Sequence, residues 1–282
     1  MSPPAKTSEK GTNTTKIHTT GLLDSFAELK VPHSWFASFY VLSVLASCFW
    51  GPQILFKTGL VPYITASGSE NASTMTLQQV MVAWALMLVQ GARRLYESLA
   101  FSKPSSSQMW VGHWAVGVWF YAMMSVAIWI EGSRELLSLS MCKTLSLTPT
   151  AALEKSNFTF KHFLFTGPTI RTFVGTLLFM LASGLQHDCH AYLASLKKYT
   201  LPEHPAFSLT LCPHYFAECL IYIALSVTAA PSGHLINRTI FCALVFVAIN
   251  LGVTADGTKT WYEQKFGKEK VDSRARMIPF LY

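Results

Sequence analysis

The chain has 282 residues, 51% of them hydrophobic and only 13% charged, with a formal net charge of +7; an ordinary soluble domain carries about 25% charged residues. Mean hydropathy is +0.32. These values exclude a disordered chain and a soluble single-core protein. Because the basic residues sit between apolar runs, the excess charge suits an anionic membrane surface and not nucleic acid.

Residues 1–30 are rich in Ser, Thr, Lys and Pro and hold no apolar signal segment, so they read as a disordered cytosolic tail. Residues 31–282 read as a single polytopic membrane domain. Six apolar runs are predicted to span: Ser34–Phe56, Met75–Arg93, Met109–Ile130, Phe158–Gln186, Pro213–Ala230 and Leu235–Asp256. Each is near the roughly 20 residues needed to cross hydrocarbon. The fourth is long, carries Arg171 and begins near Gly167-Pro168, which predicts a tilt or kink. Leu136–Leu153 holds Lys143 and Pro149 and reads as a lumenal loop, with a seventh span as the alternative. The expected fold is therefore all-α and integral to the membrane. Fifteen Lys and Arg residues fall on the side of both termini and six on the other, with Arg171 inside a span. By the positive-inside rule both termini are cytosolic. The six cysteines form no CxxC and read as free thiols.

The unusual polar residues gather on that same side in four clusters. Arg93, Arg94 and Glu97 end the second span, and helical spacing puts both arginines one turn from the carboxylate; a weak interfacial ion pair is the plainer alternative. Gln186-His-Asp-Cys-His190 ends the fourth span, with Gln186 and His190 on one face. A lone HxxH is weak evidence for a metal, and none is expected; simple polar capping is the alternative. Pro213-His-Tyr-Phe-Ala-Glu218 opens the fifth span, placing His214 and Glu218 at i, i+4. A carboxylate one turn into an apolar helix is costly unless paired, which marks Glu218 as a functional candidate. The basic and aromatic segment from Trp261 to Tyr282 is the fourth cluster, with a surface anchor as its plainer reading. Clusters on one face fit a cytosol-facing pocket for an anionic cofactor better than a channel. No GxGxxG follows a strand, so loop Arg, Lys and His side chains would have to hold phosphates.

Several short motifs, taken together, resemble the steroid 5α-reductase superfamily. They are Cys212-Pro-His-Tyr-Phe-Ala-Glu218, Trp261-Tyr-Glu-Gln-Lys-Phe266 and the closing Ser273-Arg-Ala-Arg-Met-Ile-Pro-Phe280. The family-like half covers residues 158–282. Val31-Pro32 with Phe36-Ala-Ser-Phe-Tyr-Val, Arg93-Arg-Leu-Tyr-Glu97, Gln186 with Cys189-His190, and Asn250 twelve residues before Tyr262 resemble its polyprenol (polyprenal) reductase branch. The resemblance implies an endoplasmic reticulum enzyme that uses NADPH to saturate the α-isoprene unit of a long-chain polyprenoid on the way to dolichol and protein N-glycosylation. It implies that Gln186, His190, His214, Tyr215, Glu218, Asn250, Tyr262 and Arg274 line or support the cofactor site. Arg94 and Glu97 would sit near the nicotinamide and the substrate head. The chain departs from the pattern in three places: Gly91 stands where the steroid branch has its donor Tyr, Thr258-Lys259 stand where many relatives have a His, and the family's glycine after an I-P pair is replaced, since Leu201-Pro-Glu is followed by His204-Pro205.

Hydride adds poorly to an isolated alkene, whereas conjugation to an aldehyde makes C3 electrophilic. Polyprenal is therefore expected over polyprenol as the substrate. The candidate catalytic residues are Arg94, Tyr96, Glu97, His190 and Tyr262, with Tyr96, His190 and Tyr262 as possible donors to the developing oxyanion. Two other classes stay open. An isoprenylcysteine carboxyl methyltransferase binding S-adenosylmethionine is partly imitated by Pro213-His-Tyr and Lys265-Phe-Gly. A lipid-binding scaffold or transporter would bind no NADPH. Steroid or enoyl-CoA reductases of the same superfamily also remain.

Overall fold

The computed structural model describes residues 28–56, 58–65, 74–103, 106–137, 167–197 and 199–282. Helix dominates. A 3-10 turn (His33–Phe36) leads into α1 (Ala37–Phe56), followed by the short α2 (Val61–Thr65), α3 (Leu77–Ala100), α4 (Val111–Ile130), α5 (Ile170–Ser195), α6 (Pro213–Thr228) and α7 (Arg238–Phe266). A small addition to the expected all-α fold is an antiparallel strand pair, β1 (Lys30–Pro32) with β2 (Gln108–Trp110), in register Val31 to Met109. It ties the entry of α1 to the entry of α4.

The helix starts follow local chemistry. Thr76 caps α3 in a capping box with Gln79, and Thr169 and Asn237 cap α5 and α7 through their side chains. Pro213 opens α6 at its first turn, where a missing N–H costs nothing. Gly267 ends α7 at φ 92°, a conformation that suits glycine.

Among the described residues three helical segments, His33–Phe56, Val111–Ile130 and Arg238–Phe266, are long and apolar enough to cross a membrane. The protein is a helical, multi-pass membrane protein. Its core lies between the six long helices, where Trp50, Ile54, Met87, Ile128, Trp129, Phe179, Ile221 and Leu225 pack together. Large apolar side chains such as Leu45, Phe49, Trp119, Leu181, Ile249 and Val253 face outward, an arrangement that suits a lipid solvent and not water.

The helices and the predicted spans differ at their ends. α3 runs on past Arg93 to Ala100, α5 past Gln186 to Ser195, and α7 past Asp256 to Phe266. The continuations of α3 and α5 carry polar residues that satisfy each other, and Lys259 of α7 donates to the Asp272 and Arg274 carbonyls of the C-terminal segment, so each helix outlasts its apolar run. α5 itself begins only at Ile170; the earlier part of the predicted fourth span, like most of Leu136–Leu153 and the N-terminal tail, lies outside the described residues. Arg171 sits in the first turn of α5 and donates to the Ala230 and His234 carbonyls, at 2.7 and 2.5 Å. It thereby clamps α5 onto the end of α6. The five described cysteines (Cys48, Cys189, Cys212, Cys219 and Cys242) are free thiols.

Candidate active site

Glu97 is the centre of the polar cluster. It is 2% exposed, and four basic side chains converge on it. Arg93 reaches Oε1 and Arg94 reaches Oε2 from the preceding turn of α3. From α5, the His187 and His190 Nδ1 atoms lie 2.7 and 2.8 Å from the two oxygens. Burial alone would raise the Glu97 carboxyl; the His190 hydrogen bond and the Arg94 charge more than offset it and hold the group far below the ordinary carboxylate range. Glu97 is thus a fixed anion just beyond the predicted second span.

His190 is held at two points. Its Nδ1 lies 2.8 Å from Arg94 Nη1 as well as 2.8 Å from Glu97. One nitrogen cannot accept from the guanidinium and donate to the carboxylate together, so the contact made depends on which tautomer the ring adopts. Burial, followed by the Glu97 and Arg94 effects, leaves the ring with a lowered pKa, so it is neutral near pH 7. A neutral imidazole with two proton positions is suited to moving a proton.

A second carboxylate is joined to this hub through amides. Arg93 Nη2 donates to Gln90 Oε1 at 2.9 Å and also to the Gln186 carbonyl. Both amide nitrogens then donate to Glu218 Oε2, that of Gln90 at 3.3 Å. Gln186 Nε2 further reaches the His214 carbonyl at 3.2 Å. Three helices are therefore pinned together by one polar network that pairs its buried charges. Such a network is rigid, and removing one member leaves another buried and uncompensated.

Two cavities flank the network. The outer, about 810 Å³, is lined by His33, Arg94, Lys103 and His190 among others. Among the described residues Glu97 is its sole carboxylate and is already matched by two arginines, so their lining presents net positive charge. That donor set fits an anionic cofactor. The inner cavity, about 350 Å³, mixes polar groups (Arg94, Gln186, His190, Glu218, Asn250) with the apolar Phe39, Phe120, Val247 and Leu251. Such a lining suits a lipid bearing one polar end. His33, Phe36, Tyr40, Arg94 and His190 line both cavities.

Of the residues singled out in the sequence, Arg94, Glu97, Gln186, His190, Tyr215, Glu218 and Asn250 line one or both cavities. His214 lies behind, its ring 5.3 Å from His190, with Nδ1 buried and unpartnered. Three residues are set apart. Tyr96 points outward, 59% exposed. Tyr262 stacks on Phe266 and packs with Tyr215, Cys212 and Val271. Arg274 donates to the Pro202 carbonyl at 2.7 Å. None of these three lines either cavity. The network also draws in Tyr40, through Arg94, and Gln90; in the sequence Tyr40 stands only as one member of the Phe36–Val41 stretch and Gln90 was not singled out. Gln90 carried a usable signal: it stands three and four residues before Arg93 and Arg94, on the same helical face.

The sequence profile of the 3-oxo-5-alpha-steroid 4-dehydrogenase family matches residues 153–282. The chain is 26% identical to a polyprenal reductase of Caenorhabditis elegans, covering 90% of this chain and 80% of that protein. It is 28% identical to polyprenal reductase 1 of Oryza sativa subsp. indica, over 93% and 82%. Against a polyprenal reductase of Saccharomyces cerevisiae it is 26% identical over 92% and 78%.

Proposed function

We propose, from the match of residues 153–282 to the profile of the 3-oxo-5-alpha-steroid 4-dehydrogenase family, that the chain is a membrane oxidoreductase that saturates the α-isoprene double bond of polyprenal during dolichol synthesis. The similarity to polyprenal reductases extends over most of the chain. The observation that carries the reading in this chain is the shared wall. Arg94, His190 and Tyr40 line both a cationic outer chamber and a mixed inner one, so an anionic cofactor and a lipid headgroup would meet across it.

A reduced nicotinamide, NADPH in this proposal, supplies a hydride when bound. Arg94, Lys103 and His190 would hold it in the outer chamber by charge and hydrogen bonds. The inner cavity would hold the aldehyde head while the polyprenyl tail stays in lipid. Addition at C3 moves charge to the aldehyde oxygen, where the positive field of Arg94 is favourable. His190, neutral and able to hold its proton on either nitrogen, would move protons between the site and water. Glu97 and the Gln90–Gln186 pair keep these groups in place. We place the enzyme in the endoplasmic reticulum with six spans, both termini in the cytosol and the outer chamber facing the nicotinamide pool.

Purified protein in detergent, given NADPH and either polyprenal or polyprenol, tests the reading. Polyprenal should be saturated and the free alcohol should not. Reduction of the alcohol without the aldehyde would overturn it. His190→Ala and Glu218→Ala should each lose turnover by at least about 100-fold while still accumulating in membranes; normal rates in both would remove these residues from the site.

A further inference from the structure

We propose that Tyr40 donates the hydrogen bond that stabilises the aldehyde oxygen as it becomes an enolate; this rests on the reading of the site as a polyprenal reductase. Neither tyrosine named as a candidate donor, Tyr96 or Tyr262, lines either cavity, whereas Tyr40, on α1, lines both. It is 3% exposed, and among the described residues it is the one hydroxyl group lining both cavities.

Its geometry suits a donor. Arg94 Nη2 donates to Tyr40 Oη at 2.7 Å, and the guanidinium carbon lies 4.8 Å from the ring centroid. A guanidinium has no acceptor, so the phenol oxygen must be the acceptor there and its own O–H is directed elsewhere. The cation behind the oxygen also polarises that O–H. Edge contacts with Phe36 at 5.7 Å and Tyr121 at 5.6 Å fix the ring. The hydroxyl is therefore preorganised and needs little rearrangement when charge develops. Around it stand Arg94 from α3, Tyr121 from α4, His190 from α5, and Glu218 and Tyr222 from α6, all lining the inner cavity.

The step balances simply. Hydride adds to C3, the π electrons of the double bond shift through C2 and the carbonyl carbon, and the oxygen becomes negative. Tyr40 shares its proton with that oxygen in a hydrogen bond and keeps it. C2 then takes a proton delivered from water, and the C=O re-forms. The alkene is reduced and the hydride donor is oxidised by two electrons.

The test is Tyr40→Phe in the full-length protein. Single-turnover hydride transfer to polyprenal should fall by about 100- to 1,000-fold. NADPH affinity, read by cofactor fluorescence, should stay within about threefold, because the lost group faces the substrate oxygen. Transfer within about threefold of wild type would overturn the proposal, and so would a parallel loss of NADPH binding. A second variant carries a ring-fluorinated tyrosine at position 40, which keeps size and hydrogen bonding but has a more acidic phenol. It should shift the alkaline limb of the rate profile to lower pH; an unmoved limb would overturn the proposal even if the phenylalanine variant proved unstable. Wild-type protein inert towards polyprenal would instead remove the reading on which the proposal stands.

Discussion

At the scale of single residues, the site depends on keeping one carboxylate charged where water is scarce. Glu97 is buried, so its charge is tolerated only because Arg93, Arg94, His187 and His190 surround it. Glu97→Gln keeps the shape but leaves two arginines facing no anion. Thermal unfolding in detergent should then show a loss of about 3–5 kcal/mol, the usual cost of breaking a buried pair. The pH dependence separates the two kinds of group. His190 has a pKa lowered from the ordinary 6.5, so the unfolded chain binds its proton first. Its contribution is complete above that pH and is lost as pH falls below it. Glu97 has a pKa lowered far from the ordinary 4.5, so its contribution is lost only as pH falls further. The unfolding temperature should therefore drop already between about pH 7 and pH 5.5, and His190→Gln should remove part of that early slope while sparing the later one.

At the scale of elements, much of the helix framework is legible in apolar runs. Six predicted spans have a long helix in the structure, because runs near 20 residues have few other ways to satisfy their backbone. The i, i+3 and i, i+4 spacing of Arg93 and Arg94 to Glu97 likewise becomes a real pairing. The helix ends were not legible in the same way. Arg93 looks like a span boundary, yet α3 continues to Ala100, since partners on α5 satisfy its charges. The role of Tyr40 was hidden for the opposite reason, although the residue stands in the Phe36–Val41 stretch that resembles the polyprenal reductase branch. A lone tyrosine in an apolar run resembles an interfacial aromatic, and only its contact with Arg94 from another helix distinguishes it. Helix-to-helix approach adds a further prediction. A Cβ on Gly175 would lie 2.3 Å from Thr228 Oγ1 and 3.1 Å from the Ala224 carbonyl, so α5 and α6 touch backbone to backbone there. Gly175→Ala should push them apart and destabilise the protein by about 1–3 kcal/mol, measurable by the same unfolding assay.

At the scale of the whole molecule, the linked ion pairs around Glu97 gather at one end of the helix bundle, opposite the end held by Arg171 and Glu131, while large apolar side chains face outward along the flanks. In the proposed function, this asymmetry would let a water-soluble hydride donor and an oily aldehyde meet at one site. It also predicts orientation. A cysteine placed in the N-terminal tail, and another after Gly267, should both react with an impermeant thiol reagent in sealed microsomes whose cytosolic face is outward. Protection of both until the membrane is opened would reverse the proposed topology. The central claim is that hydride passes from the nicotinamide to C3 of a conjugated aldehyde at this site. Its most direct measurement uses NADPH carrying deuterium on the transferring face of C4, purified enzyme and polyprenal, with the product read by mass spectrometry. The account predicts one deuterium, located at C3 of a saturated α-isoprene unit. Product lacking that label, or label found only on the carbinol carbon beside an intact double bond, would contradict it.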